Sequence, residues 1–250
     1  MADQNKGMSD LWRRLRFVFL AIVVYRMGTH IPIPGIDPAR LAALFDQNQG
    51  TILEMFNLFS GGALERMSIF ALNVVPYISA AIIMQLFSNS IPYLQELKKD
   101  GQAGRNQITQ YTRYGTVVLA FVQASALSVT LGASGLAYEP GTSFFISAVF
   151  SVVAGTVFLM WLGEQITERG IGNGISIIIA TSILTGIPGA IGQALEQARQ
   201  GDLNILLLLG IGVLAMVVIA IVVFIERGQR RITVNYAQRQ QGRKLMQAQA

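Results

Sequence analysis

The sequence contains no cysteine and a single histidine, His30, among 250 residues. Without thiols there is no disulfide framework, no thiolate metal site and no cysteine nucleophile. One imidazole also leaves acid–base and metal chemistry poorly supplied. Charge is scarce as well: Asp, Glu, Lys and Arg make up 13% of the chain, about half the ~25% of a soluble domain. With a mean hydropathy of +0.48, little polar material remains to coat a water-facing surface, so the chain reads as a membrane protein. No G-x-x-x-x-G-K-[ST] occurs, and "GIGNG" at 170–174 lacks the G-x-G-x-x-G spacing and follows no expected strand, which leaves nucleotide binding unsupported. Intramembrane proteolysis needs a serine and a histidine, or paired aspartates, at membrane depth, and His30 stands by a proline-rich boundary with no such residue at plausible spacing. Together these absences argue against an enzyme, a bound metal or a cofactor.

What the chain does have is apolar length. About 20 helical residues cross ~30 Å of hydrocarbon, and residues 68–91, 115–137, 143–162, 175–191 and 203–225 are five runs of that kind. A weaker sixth, residues 17–31, is interrupted by Arg26 and closed by "IPIPG", whose prolines cannot sit in a helix interior. The start, "MADQNKGMSDLWRRLRF", is too polar for a cleaved signal peptide, so the first span is expected to be retained. Basic residues divide unevenly over the connections. Lys6, Arg13, Arg14, Arg16, Lys98, Lys99, Arg105, Arg113, Arg169, Arg227, Arg230, Arg231, Arg239, Arg243 and Lys244 fall on one side, against Arg40, Arg66 and Arg199 on the other. The excess marks the cytoplasmic side and places both ends of this chain there. The expected organisation is a cytoplasmic amino terminus at 1–16, five spans within 17–192 with a cytoplasmic loop at 95–113, a sixth span at 203–225, and a basic cytoplasmic segment at 226–250.

Two stretches stand out. In "NLFSGGALERMSIFALNVVPYISA", residues 57–80, Gly61 and Gly62 loosen the chain, and 63–72 is helical in pattern but too short to cross a bilayer. It is expected to dip into the membrane where protein or water surrounds it, with Pro76 opening the ladder inside the second span. In "GEQITERGIGNGISIII", residues 163–179, three glycines permit a sharp turn between two helices. Ile175 and Ile179 lie four apart on one helical stripe, as do Val74 and Ile78. The spacing alone leaves ordinary packing open, because aliphatic pairs at that interval are common in membrane helices. Ser79, Gln85 and Gln123 are polar within apolar runs, which by itself suits interhelix contacts.

"SIFALNVVPYISAAIIMQL" and "GEQITERGIGNGISIII", together with "IPIPGID", "FSGGAL" and "IERGQRRITVNYAQRQQGRK" in that family's order, resemble the SecY family of protein-conducting channel subunits over essentially the whole chain. The resemblance implies an all-α polytopic membrane protein. This chain would supply six transmembrane helices of a ten-helix, pseudo-symmetric clamshell, with a short re-entrant plug helix, as a piece of a longer protein. It implies an apolar pore ring at Val74, Ile78, Ile175 and Ile179, where aliphatic walls dewet a constriction. It places the plug at about 56–66, on Phe56, Ser60, Gly61, Gly62, Ala63, Leu64, Glu65 and Arg66, and a lateral gate at Ser79, Gln85 and Gln123. Asn73 stands where the family usually has glycine. Partners implied are SecE and SecG subunits in a bacterial inner membrane, signal-bearing polypeptides, and a ribosome or the SecA ATPase. The last two would dock on Arg105, Arg113, Arg230, Arg231, Arg239, Arg243 and Lys244 and supply the driving force. Two other readings stand beside this one. A small-solute secondary transporter would need ionisable residues buried mid-span, and only Arg26, near a span end, qualifies. An assembly subunit would need only packing surfaces.

Overall fold

The computed structural model describes residues 2–47, 57, 60–139, 141–200, 205–228, 240–241 and 244–245. Its described helices are α1 (Ala2–Gly28), α2 (Pro38–Gln47), α3 (Val75–Ser90), α4 (Pro92–Lys99), α5 (Gly101–Ala133), α6 (Thr142–Arg169), α7 (Gly174–Gln200) and α8 (Ile205–Glu226). A two-residue hairpin pairs β1 (Gln240–Gln241) with β2 (Lys244–Leu245). The chain forms two units, Met1–Ala190 and Ile191–Ala250. In the second, α8 is apolar on every side and its residues 209–226 are exposed throughout, the pattern of a helix whose solvent is lipid.

Four described helices are long and apolar enough to cross a membrane: Gly101–Ala133, Thr142–Arg169, Gly174–Glu196 and Leu209–Glu226. The other two expected spans fall short. Helix α1 spreads Arg13, Arg14, Arg16 and Arg26 along its length. Helix α3 has 16 residues, about 24 Å at 1.5 Å per residue, before Ile91 breaks it and α4 begins.

The second span starts later than the apolar run suggests. Residues 61–74 pass through consecutive turns and do not form the helix that their pattern implied over 63–72. Gly61 (φ 65°), Gly62 (φ 79°), Met67 (φ 42°) and Asn73 (φ 50°) are all left-handed, and each such residue interrupts a right-handed ladder. Pro76 lies in the first turn of α3, where its missing N–H removes no helical bond. It begins the helix and does not open one.

This turn segment is held by its main chain. The Ile33 N–H donates to the Met67 carbonyl (2.8 Å) and the Ile69 N–H to the Ile31 carbonyl (3.0 Å), pairing the "IPIPG" strip with residues 67–69. On the other side of that strip, the Asp37 N–H donates to the Leu136 carbonyl and the Tyr138 N–H to the Gly35 carbonyl. Pro38 then starts α2, whose first amides, Ala39 and Arg40, donate to the Asp37 carboxylate. The segment therefore lies between two apolar cores. Met67 and Ala71 join Ile33, Leu41, Leu131, Phe144 and Val149 in one. Ala63, Phe70 and Val74 join Tyr25, Leu159, Ile166 and Ile178 in the other.

Helix α6 reaches the segment because residue 155 is glycine: a Cβ there would collide with the Ile69 carbonyl oxygen. Burial runs through most of 60–74. Only Glu65 and Arg66 are exposed within it.

Candidate functional site

The four ring candidates come from two stretches about a hundred residues apart, and the fold brings them into one apolar cluster. Val74 is buried, and Ile78, Ile175 and Ile179 are half-buried against it, beside Ile178 and Phe70. Val74 is the last residue before α3 and Ile78 lies in its first turn. Ile175 and Ile179 lie in the first two turns of α7.

The start of α7 is fixed with some care. Asn173 Oδ1 accepts from the Ile175 and Ser176 amides (3.0 and 3.4 Å), capping the helix. Thr167 Oγ1 accepts from the Gly174 amide (2.8 Å). Gly172 takes the left-handed turn (φ 70°), while Gly174 is packed so close to α6 that a Cβ would collide with the Gly163 carbonyl. The sharp hairpin expected from the glycines is present, and its tightness lays Ile175 on Gly163 of α6, at the edge of the cluster that Ile179 also joins.

The plug candidates divide. Ser60, Gly61 and Ala63 are buried, Gly62 and Leu64 half-buried, and Glu65 and Arg66 exposed; Phe56 lies outside the described residues. Asn57 Oδ1 accepts from the Glu65 amide (3.0 Å), and Asn57 Nδ2 donates to the Glu65 carboxylate (3.0 Å), which closes the segment's outer turn. The segment is wedged in place by Phe70. Its ring stacks on Tyr25 of α1 (centroids 6.0 Å apart, planes at 10°) and on Phe158 of α6 (5.9 Å, 3°). Gly28 leaves the room that the ring occupies.

Sequence reasoning missed Phe70, Tyr25, Phe158 and Ser182. A tyrosine beside Arg26 in an apolar span was a usable signal, since a buried phenol seeks a hydrogen-bond partner. Its partner Ser182 is 157 positions away, and no spacing points to it.

The lateral-gate candidates do not converge. Ser79 is half-buried on α3, Gln85 exposed on α3 and Gln123 half-buried on α5, and no side-chain hydrogen bond among the described residues joins them. Gln85 instead borders a cavity of about 410 Å³ between α3, α4 and α5, with Lys98 and Arg105 on its rim.

Of the basic contact candidates, Arg105 is exposed. Arg113 is engaged: its Nε and Nη2 form a fork on the two carboxylate oxygens of Glu164 (2.7 and 2.9 Å), tying α5 to α6. Near the amino terminus, Arg14 and Arg13 grip Asp10 (3.0 and 2.6 Å). The hydrogen bond from Arg14 is the main reason that carboxyl is held below the usual carboxylate range. Lys244 stands in β2; Arg230, Arg231, Arg239 and Arg243 lie outside the described residues. No metal-holding group of His, Cys, Asp or Glu occurs among the described residues.

The profile of the SecY family matches residues 68–249. Among curated relatives, the protein translocase subunit SecY of Pseudomonas aeruginosa is 65% identical over 248 residues, 99% of this chain and 56% of that protein. The Escherichia coli subunit of the same name is 59% identical over 98% of this chain and 56% of its own length. The chain thus spans little more than half the length of these relatives. Among solved structures, the Sec channel of the canine ribosome-channel complex from the endoplasmic reticulum covers 90% of this chain at a TM-score of 0.62 and 20% identity, with half of that channel chain matched. At that identity it speaks for the fold alone.

Proposed function

Because the chain belongs to the SecY family, we propose that it forms the first half and sixth span of a pore-forming subunit that passes unfolded, signal-bearing polypeptides across a bacterial inner membrane and membrane segments into it. One observation carries the reading: two separate motifs deliver Val74, Ile78, Ile175 and Ile179 to one apolar cluster, with a buried, non-helical segment packed beside them. An aliphatic neck offers a passing chain no fixed hydrogen bond and excludes water and ions while closed. The segment at 60–74 is suited to act as the closure. It is irregular backbone enclosed by protein, which, with the lining of a water-filled cavity, is where such backbone is tolerated at membrane depth.

In this reading both ends of the chain face the cytoplasm, SecE and SecG complete the complex, and a ribosome or SecA docks on the basic connections. Arg105 and the arm containing Arg230, Arg231, Arg239, Arg243 and Lys244 make the contact, while Arg113 positions helices. Ser79, Gln85 and Gln123 would then serve a gate whose opposite wall belongs to the spans absent from this chain.

The test is ion conductance of the full-length protein in vesicles. Ile78→Asp and Ile179→Asp should raise resting leakage well above Ile78→Leu and Ile179→Leu, because a charge hydrates a dewetted neck. Leakage equal to that of the Leu variants would place these side chains against other helices and remove the ring from the proposal.

A further inference from the structure

Three polar side chains meet one turn along α7 from the ring. Tyr25 (α1), Asn73 (the residue before Val74) and Ser182 (α7) are all almost fully buried, at 1%, 4% and 0% exposure. One assignment of donors and acceptors satisfies Ser182 Oγ in full. Ser182 Oγ donates its single proton to the Ile178 carbonyl on its own helix (2.9 Å). Its two lone pairs then accept from the Tyr25 hydroxyl (2.5 Å) and from Asn73 Nδ2 (3.2 Å). The Tyr25 oxygen also lies 3.4 Å from the Ser60 carbonyl, so its proton can serve the segment or α7 in turn. Arg26, the next residue of α1, donates to the adjoining Gly61 carbonyl (2.9 Å). Gly61 itself lies against the α7 main chain: a Cβ there would stand 3.1 Å from the Ser182 Cα. One end of the segment (60–61) and the other (73) thus converge on Ser182.

We propose that Tyr25, Asn73 and Ser182 form a hydrogen-bonded latch that keeps the 60–74 segment docked on α1 and α7. The inference rests on reading that segment as the closing element. It adds positioning residues that hold the closure through α7 and are separate from the apolar ring. Apolar packing on Phe70 and Val74 resists displacement in any direction, whereas a hydrogen bond breaks over a short distance. A latch of this kind therefore gives a defined threshold for release. The conformation at residue 73 fits the role. Its φ of 50° is one that glycine and asparagine adopt at low cost, and of these two only asparagine carries a donor.

The experiment is backbone amide exchange of the full-length protein in its assembled membrane complex, read at Gly62, Ser68 and Ile69, whose N–H groups are bonded to Asn57, Ala63 and Ile31. Tyr25→Phe, Ser182→Ala and Asn73→Gly should each speed exchange roughly threefold to tenfold, the loss of one net hydrogen bond. The Tyr25→Phe and Ser182→Ala double variant should exceed the larger single effect by little, since both remove the same bond. Thr181→Val should change nothing, because the Thr181 hydroxyl bonds only back to Ile177 on its own helix (2.8 Å). Exchange within twofold of the parent in all three latch variants, or equal acceleration in Thr181→Val, would overturn the latch. Tyr25→Phe removes a single oxygen, so it carries the test even if Ser182→Ala folds poorly. Faster exchange together with unchanged acceptance of substrates bearing defective signals would leave the latch standing and count against the segment's gating role.

Discussion

Phe70 shows how much one side chain decides in this molecule. It is 2% exposed, belongs to the turn segment, and fills a slot between Tyr25 and Phe158 that exists only because residue 28 is glycine. Removing a ring from such a site costs transfer energy and leaves a cavity, about 3–5 kcal/mol for Phe→Ala. Phe70→Ala should therefore lower the thermal unfolding midpoint of the full-length protein in detergent and loosen the segment, while Phe70→Leu, which refills part of the slot, loses less. An unchanged midpoint in Phe70→Ala would mean that the segment contributes no packing to the fold. In the sequence Phe70 was one apolar residue in "SIFAL", with nothing to distinguish it from its neighbours.

At the scale of elements, the helices are bound by features that differ in legibility. The cap at Asn173 and the glycines of the 170–174 turn could be read from residue types, because asparagine before an apolar run and closely spaced glycines have local causes. The tie between α5 and α6 could not. Arg113 looked like one more cytoplasmic cation, yet its fork on Glu164 fixes the two helices 51 positions apart in sequence. The Arg113 side chain is 37% exposed and that of Glu164 18%, so water screens the pair. A double-mutant cycle of Arg113→Ala and Glu164→Ala on unfolding should give a coupling of about 1 kcal/mol. Arg113→Lys should recover less than half of it, since an ammonium cannot make the planar fork. A coupling near zero would reduce the pair to a surface contact. The late start of α3 belongs here too: left-handed Met67 and Asn73 stop the helix that hydropathy alone would have begun at residue 68.

Across the whole chain, the basic residues carry the asymmetry. Fifteen fall on the connections assigned to the cytoplasm and three on the others, with Arg26 inside the first helix. A reporter active only in the cytoplasm should work when fused after Gly101 or Ala250 and fail after Asn48 or Glu139. The reverse pattern would discard the proposed orientation. On the same face, Arg243→Glu with Lys244→Glu should weaken ribosome or SecA binding by the full-length protein and flatten its salt dependence without disturbing membrane insertion. Affinity unchanged at both low and high salt would remove the arm from the contact.

Composition and order along the chain were enough to determine a helical membrane protein, its family signatures and the charge asymmetry. Each of these depends on residue type within a short window: apolar length, glycine spacing, the density of Lys and Arg. Tertiary structure alone decided that 61–74 is a mostly buried chain of turns and not a helix, that Val74, Ile78, Ile175 and Ile179 share one cluster, and that Tyr25, Asn73 and Ser182 meet. These outcomes depend on contacts between residues more than a hundred positions apart and on backbone angles set by packing. A left-handed φ at a methionine or a phenol proton directed at a serine on another helix has no signature in the local sequence, because the free energy that selects it comes from the surrounding structure.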